Sequence, residues 1–206
     1  MKVLLIVLVL VALWSVWGYF SSRVEEAHYS VLKTADGYEV RDYAAHIEAQ
    51  TKVEGSYSDA LNEGFRIIAG YIFGGNTRKE DIAMTAPVRE QKQTSQKIAM
   101  TAPVVASLKG ESRVIGFVMP KSYTLESLPT PNDSRVTLVE VPAKKMAALR
   151  FSWFRSSSRV AQMEERLLAS LSRDKVEVIG VPSYAGYNAP WTPPWMTRNE
   201  ILVEIR

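Results

Sequence analysis

Few side chains in these 206 residues are placed to do chemistry. Cysteine is absent, and histidine occurs twice, as His28 and His46; neither stands at the spacing of a zinc-ligand set. His28 lies in a polar stretch and His46 on the polar side of an alternating run, so both read as surface residues. The 22 acidic residues are scattered along the chain, and spacing alone matches no two of them as acid and base. The nucleophile-elbow, paired-histidine zinc, phosphate-loop and dinucleotide signatures do not occur. No catalytic residue and no metal ligand is assigned, and the expectation is a binding protein rather than an enzyme.

A repeat is more informative. The heptapeptide IAMTAPV stands at residues 82–88 and again at residues 98–104. Ile and Met alternate with Ala and Thr, the pattern of a short strand with one large apolar face, and proline ends ordinary pairing because it lacks an N–H. The eight polar residues between the copies, REQKQTSQ, are expected to be a solvated connection. Two such strands would form a local hairpin and set Met84 and Met100 on one surface. Methionine most often fills irregular core gaps; the other use of such a pair is to line an apolar ligand site.

Composition bounds the class of protein. Apolar residues make up 47% of the chain, enough for a core, and the net charge of +3 is spread with both signs interspersed. That leaves no basic stripe for a phosphate backbone, so nucleic acid is excluded as a partner. Residues 3–20 are almost wholly apolar, broken only by Ser15 and Gly18, and a bilayer span needs roughly 17–25 such residues. A cleaved signal peptide competes with this reading, but the exit WSVWGYF lacks the small-residue site that cleavage needs. The preferred reading is a single-pass membrane anchor with Trp14, Trp17 and Tyr19 at the interface. Lys2 before it, with Glu25 and Glu26 beyond it, puts the body outside the cytoplasm.

The elements that must position a site are read from periodicity. Residues 21–28 form a polar tether. YSVLKTADGYEVRDY reads as two extended runs joined by the turn dipeptide Asp36-Gly37. Residues 46–54 alternate, with Ile47, Ala49, Thr51 and Val53 on one side and His46, Glu48, Gln50 and Lys52 on the other. Ser56 or Ser58 then caps a helix with Leu61, Phe65, Ile68 and Ile72 on its apolar face, ended by Gly74-Gly75. About 100 residues later the order returns: extended residues 136–141, an alternating run through Ala147, Leu149, Phe151 and Trp153, a serine cap, and a helix carrying Val160, Met163, Leu167 and Leu171. Strand-like residues 176–181 and 201–205 close the chain. Such recurrence marks a duplicated unit and predicts an α+β fold, a curved antiparallel sheet or barrel with two helices packed on it. YAGYNAPWTPPWMTRNE, residues 184–200, is too rich in proline and aromatics for a regular element. It reads as a crossover packed on the sheet, a rim over an apolar pocket, or a patch resting on the membrane surface.

YEVRDY, GFRIIAGYIFGGN, IAMTAPV, FVMPKSYTLESLPTPND and AGYNAPWTPPWMTRNEILVEI together resemble the SOUL haem-binding protein family in order and spacing, from about Tyr29 to the carboxyl end. The resemblance implies duplicated β-α-β-β units forming a distorted antiparallel barrel with two helices. With the anchor, the domain layout is then 1–20 anchor, 21–28 tether and 29–206 SOUL-like domain, in pseudo-repeats of about 29–112 and 113–206. It implies haem or another tetrapyrrole as ligand, held in a shallow apolar site beside the first domain helix at residues 58–73. Phe65, Ile68, Ala69 and Ile72 are the implied lining residues, with Met84 and Met100 nearby, and Arg66 or Lys79 would meet a carboxylate. Some family members carry a proposed axial histidine in the YEVRDY segment; here that position is Asp42, so no axial histidine is identified. Burying a few hundred Å² of macrocycle at about 25 cal/mol per Å² still suffices for micromolar affinity. The alternative is a small-molecule effector-binding module or a hydrolase on the same barrel; a hydrolase would draw on Glu48 and Glu63.

Overall fold

Asp36-Gly37 turns the chain as its residue types require. Gly37 takes a φ of 90°, and strands β1 (Tyr29–Ala35) and β2 (Tyr38–Tyr43) leave it antiparallel. The computed structural model describes residues 2–21, 25–79, 81–92, 112–188 and 191–206. It opens with α1 (Lys2–Ser21), in which Lys2–Tyr19 has a mean hydropathy of 2.1, apolar enough to cross a membrane. After β2 come β3 (His46–Glu54), α2 (Tyr57–Ile72), β4 (Val88–Lys92), β5 (Ser112–Val118), β6 (Thr137–Val141), β7 (Lys144–Phe151), α3 (Ser157–Arg173), β8 (Ser183–Gly186) and β9 (Asn199–Glu204). Both domain helices start the same way: the Oγ atoms of Ser56 and Ser156 accept from the backbone N–H groups of Asp59 and Arg159, satisfying donors that a first turn leaves unpaired.

The strands form one curled antiparallel half-barrel in the order β1-β2-β7-β9-β8-β4-β5-β3-β6. Exchanging β2 with β6, β3 with β7, β4 with β8 and β5 with β9 returns the order of these eight strands read from the other end. On one face, α2 covers β3 and β5 through Leu61, Ile68 and Ile72 against Ala49, Ile115 and Phe117. There α3 covers β7 and β9 through Val160, Met163, Leu167 and Leu171 against Leu149, Ile201 and Val203. The opposite face holds a third cluster of Tyr43, Val118, Met146, Ala148 and Leu202.

That concave face is also charged. Glu200 is fully buried, its carboxylate 2.6 and 3.0 Å from Arg41 and 2.9 Å from Arg198, with the Tyr187 hydroxyl donating at 2.8 Å. Glu48 accepts from Arg89 at 3.0 Å and Gln50 at 2.8 Å and lies 3.3 Å from His46 Nε2. Gly116 leaves room for it, since a Cβ there would lie 2.8 Å from Glu48 Oε2.

Several expectations are corrected. Residues 82–87 are not a strand; they run irregularly through a cis Ala86-Pro87 peptide bond, and β4 starts only at Val88. The expected solvated connection therefore begins as an interior strand, because Arg89 and Glu90 point to opposite faces and each finds an ion-pair partner, Glu48 and Arg113. The second heptapeptide copy lies outside the described residues. The tether is not free from residue 25 onward: Ala27 and Ala86 exchange backbone hydrogen bonds with the facing chain at 3.0 and 2.9 Å, and Ala27 is buried. Of residues 176–181, only Val178 makes an isolated bridge. Tyr184 and Ala185, expected in an irregular segment, sit in interior strand β8. The approximate repeat boundary near residue 112 coincides with the start of β5, Ser112–Val118. Glu48, expected on a solvated side, is buried by the charges around it.

Two predictions follow from the packing. An alanine at Gly64 would put Cβ 2.3 Å from Cγ1 and 2.6 Å from Cβ of fully buried Ile115. Overpacking of this kind costs about 1–3 kcal/mol, more than the roughly 1 kcal/mol gained in helix propensity, so Gly64→Ala lowers the urea midpoint; a higher midpoint would contradict this seating of α2 on β5. The second concerns acid. Burial pushes the Glu48 carboxyl up, but Arg89 and the hydrogen bonds from His46 and Gln50 outweigh it and hold it at about 2, against an ordinary 4.5. Glu200 is likewise held low: burial raises it, and Arg41 and Arg198 more than reverse that. Between its two values the unfolded chain binds a proton that folded Glu48 refuses, so its stabilisation is complete above 4.5 and is lost as pH falls toward 2, and Glu200 acts in the same direction. The melting temperature therefore drops across that window, and Glu48→Gln flattens the drop; equal slopes for both proteins would refute the assignment.

Candidate functional site

Helix α2 is seated on the sheet along its whole length, with Ala60, Leu61 and Gly64 buried in its N-terminal half and Phe65 left half-buried at the edge of that contact. Ile68 and Ile72 are fully buried in the core, whereas Leu61, Asn62 and Phe65 form one wall of a groove about 560 Å³ in volume. Val88 of β4, Tyr184 and Gly186 of β8, and Asn188 complete it, and Arg155 of the β7–α3 connection stands at its rim. Phe65 keeps its place by packing on Phe117, ring centroids 5.4 Å apart. A second depression of about 1020 Å³ shares Leu61, Asn62 and Arg155 and continues between the first turns of α2 and α3, past Tyr57 and Arg113.

Polar groups lie beneath these walls. Glu90 is buried and paired with Arg113. The Tyr184 hydroxyl donates to Asn199 Oδ1 at 2.6 Å, and burial pushes it up to about 12. The Tyr57 ring meets Tyr184 edge-on at 6.2 Å, and its buried hydroxyl has no hydrogen-bond partner among the described residues. Burial, then Tyr184 and Glu90, raise Tyr57 further above the ordinary tyrosine value. Both hydroxyls therefore carry their protons at neutral pH. An unsatisfied buried donor costs about 1–3 kcal/mol; Tyr57 lines the second depression and not the groove beside Phe65.

The expected site residues divide. Phe65 lines the groove. Ile68 and Ile72 cannot touch a ligand in this conformation, because the inward face of the helix is filled by the sheet. Ala69 and Met84 are half-buried and do not line the groove. Arg66 is exposed, pairs with Glu63 and lines a separate depression with Asp133 and Arg135; Lys79 is exposed in the bend after α2. Met100 lies outside the described residues, so the methionine pair is not described. Leu61, Asn62, Val88, Tyr184 and Arg155 were not foreseen as lining. Leu61 was legible as an apolar helix position, but the others come from distant strands and a connection that only folding brings alongside it.

Other chemistry does not converge here. Glu48 and Glu63 do not form a carboxylate pair: Glu48 is buried among Arg89, Gln50 and His46, and Glu63 pairs with Arg66 and Arg135 on α2. His28 and His46 both line a different depression, about 1280 Å³, at an end of the sheet shared with Met119 and Leu125. His46 is less exposed than expected, its side chain 15% accessible beside Glu48. Among the described residues, no three His, Asp or Glu side chains cluster to hold a metal ion. The groove sets hydrocarbon walls beside one cation, an arrangement suited to a flat apolar molecule bearing an acidic group, and no histidine is among its lining residues.

Comparisons with known proteins identify the family and the fold. Human Heme-binding protein 2 is 28% identical over 156 residues, covering 74% of this chain and 71% of its own length. Among solved structures, the EcmrR C-terminal domain is similar with a TM-score of 0.59 at 10% identity, over 86% of this chain and 98% of that one. A structure titled as a hydrolase from Listeria innocua has a TM-score of 0.54 at 11% identity, over 85% and 94% of the two chains. At such identities these two show the fold alone. The model of the SOUL heme-binding protein family matches residues 24–204, and the chain belongs to that family.

Proposed function

We propose that the protein is a membrane-tethered binder of haem or a related tetrapyrrole, which it holds or carries in the groove beside the N-terminal half of α2. The observation that carries this reading is the open apolar wall of Leu61 and Phe65 with Arg155 at its rim. Bound haem would bring a flat hydrocarbon surface with carboxylate arms and an iron centre. The chain's own part is to exclude water from that surface with Leu61, Phe65 and Val88 and to meet a carboxylate with Arg155. The layout that goes with this is an anchor at residues 1–20, a short tether, and a domain of two related halves, β2–β5 and β6–β9. Lys2 ahead of α1, with Glu25 and Glu26 after it, favours a domain outside the cytoplasm.

Haemin titration of the full chain in lipid nanodiscs, with empty nanodiscs as blank, tests the reading. A saturable Soret shift is expected, with affinity reduced roughly tenfold, about 1.4 kcal/mol, by Phe65→Ala or Leu61→Asp. Arg155→Ala weakens haemin but not an esterified porphyrin lacking free carboxylates. Uptake that never saturates, or is equal in all four proteins, rejects the groove as the site.

A further inference from the structure

All five tryptophans of the chain, Trp14, Trp17, Trp153, Trp191 and Trp195, gather where α1 meets the domain. Trp14 Nε1 donates to the Trp191 carbonyl at 2.9 Å, and the Trp14 and Trp195 rings meet edge to face at 5.3 Å. Trp17 follows one turn along the helix. Trp153 joins from the end of β7, its N–H bonded to the Pro194 carbonyl at 3.0 Å. Gly18 makes the junction close: a Cβ there would lie 2.5 Å from Pro193 Cδ.

These rings are not core. Trp153, Phe154, Trp191 and Trp195 are 52%, 70%, 58% and 41% exposed, and a contiguous exposed aromatic patch marks an interaction surface. Trp153 is held in it deliberately, with a φ of 77° that a bulky residue adopts only under constraint. Its carbonyl accepts from Thr197 Oγ1 at 3.2 Å and Asn199 Nδ2 at 3.0 Å, which fixes the left-handed turn.

The depth of the contact identifies the occupant. Trp14 precedes the end of α1 at Ser21 by seven residues, about 10 Å along a helix axis. Trp191 and Trp195 touch α1 at that level, beside Lys2–Tyr19, the stretch apolar enough to cross a bilayer, and not beyond its end. With α1 inserted, the domain's indoles lie in the layer between headgroups and acyl chains, where tryptophan is enriched. We propose that Trp153, Phe154, Trp191 and Trp195 form a docking platform for the lipid–water interface, seating the domain on the bilayer at the exit of α1. This rests on α1 being a retained membrane helix. Arg155, at the rim of the α2 groove, directly follows Phe154 and is thereby held close to the lipid surface.

Because no tryptophan lies elsewhere, intrinsic fluorescence tests the platform without background. The full chain is placed in phosphatidylcholine vesicles with or without lipid brominated in the upper acyl chain. In the variant Trp14→Phe with Trp17→Phe, emission comes from the domain alone, and brominated lipid is expected to reduce it about twofold or more. Phenylalanine keeps an aromatic ring against Trp195, and the Gly18–Pro193 contact is untouched. The reciprocal variant, Trp153→Phe with Trp191→Phe and Trp195→Phe, reports insertion of α1. Quenching in the reciprocal variant without quenching in the first overturns the platform while leaving the anchor standing. Absence of quenching in both removes the anchor and the platform together. Blue-shifted but unquenched emission in the first variant assigns the patch to a protein neighbour, such as a second copy, and overturns the proposal as well.

Discussion

Glu200 is the residue on which the arrangement of the chain depends. Its buried carboxylate is held by Arg41 from β2 and by Arg198 at the entry to β9. Arg198 also pairs with Glu26 at 2.8 Å and donates to the Tyr29 hydroxyl at 3.0 Å. One buried charge thus joins the first domain hairpin, the last strand and the chain arriving from α1. A buried ion pair adds little net stability over a well-packed apolar core, but removing one partner costs about 3–5 kcal/mol because the other charge is stranded. With two guanidinium groups depending on one carboxylate, that penalty ties β2 to the start of β9.

The same packing logic decides where a ligand can enter. The sheet is covered on one face by two helices, and the other face carries the third apolar cluster and its ion pairs. Openings remain beside the first turns of α2 and α3, at the sheet end where both histidines lie, and in a smaller hollow of about 360 Å³ against Tyr43, Val118, Met146 and Leu202. On the reading proposed above, a tetrapyrrole would lie in a surface groove and be held by water exclusion and a rim cation. Proximity of that rim to the aromatic junction would let an apolar ligand be handled without crossing much water.

Much of this architecture is written locally. The alternation at His46–Glu54, the three-and-four spacing of both domain helices, their serine caps and the Asp36-Gly37 turn each depend on residues within a few positions, and each appears where the pattern puts it. The duplicated order of elements emerges as a sheet whose eight inner and outer strands read alike from both ends. The apolar stretch ahead of the domain is likewise a local signal, and it forms α1.

Polar strand β4, the groove and the aromatic junction were decided by tertiary structure. Arg89 and Glu90 look solvated because the groups that neutralise them, Glu48 and Arg113, lie in other strands. Phe65 and Ile68 stand on one helical face and cannot be told apart by period, yet the sheet buries one and leaves the other at an opening. Trp14 precedes Trp153 and Trp191 by more than a hundred residues, and α1 reaches their loops through the close approach of Gly18 to Pro193. Sequence alone determined the elements and their apolar faces, since backbone geometry and hydrophobic spacing act over short range. Which buried charges are paired, and which apolar residues stay open to a ligand or a membrane, depended on contacts between distant segments that no local pattern encodes.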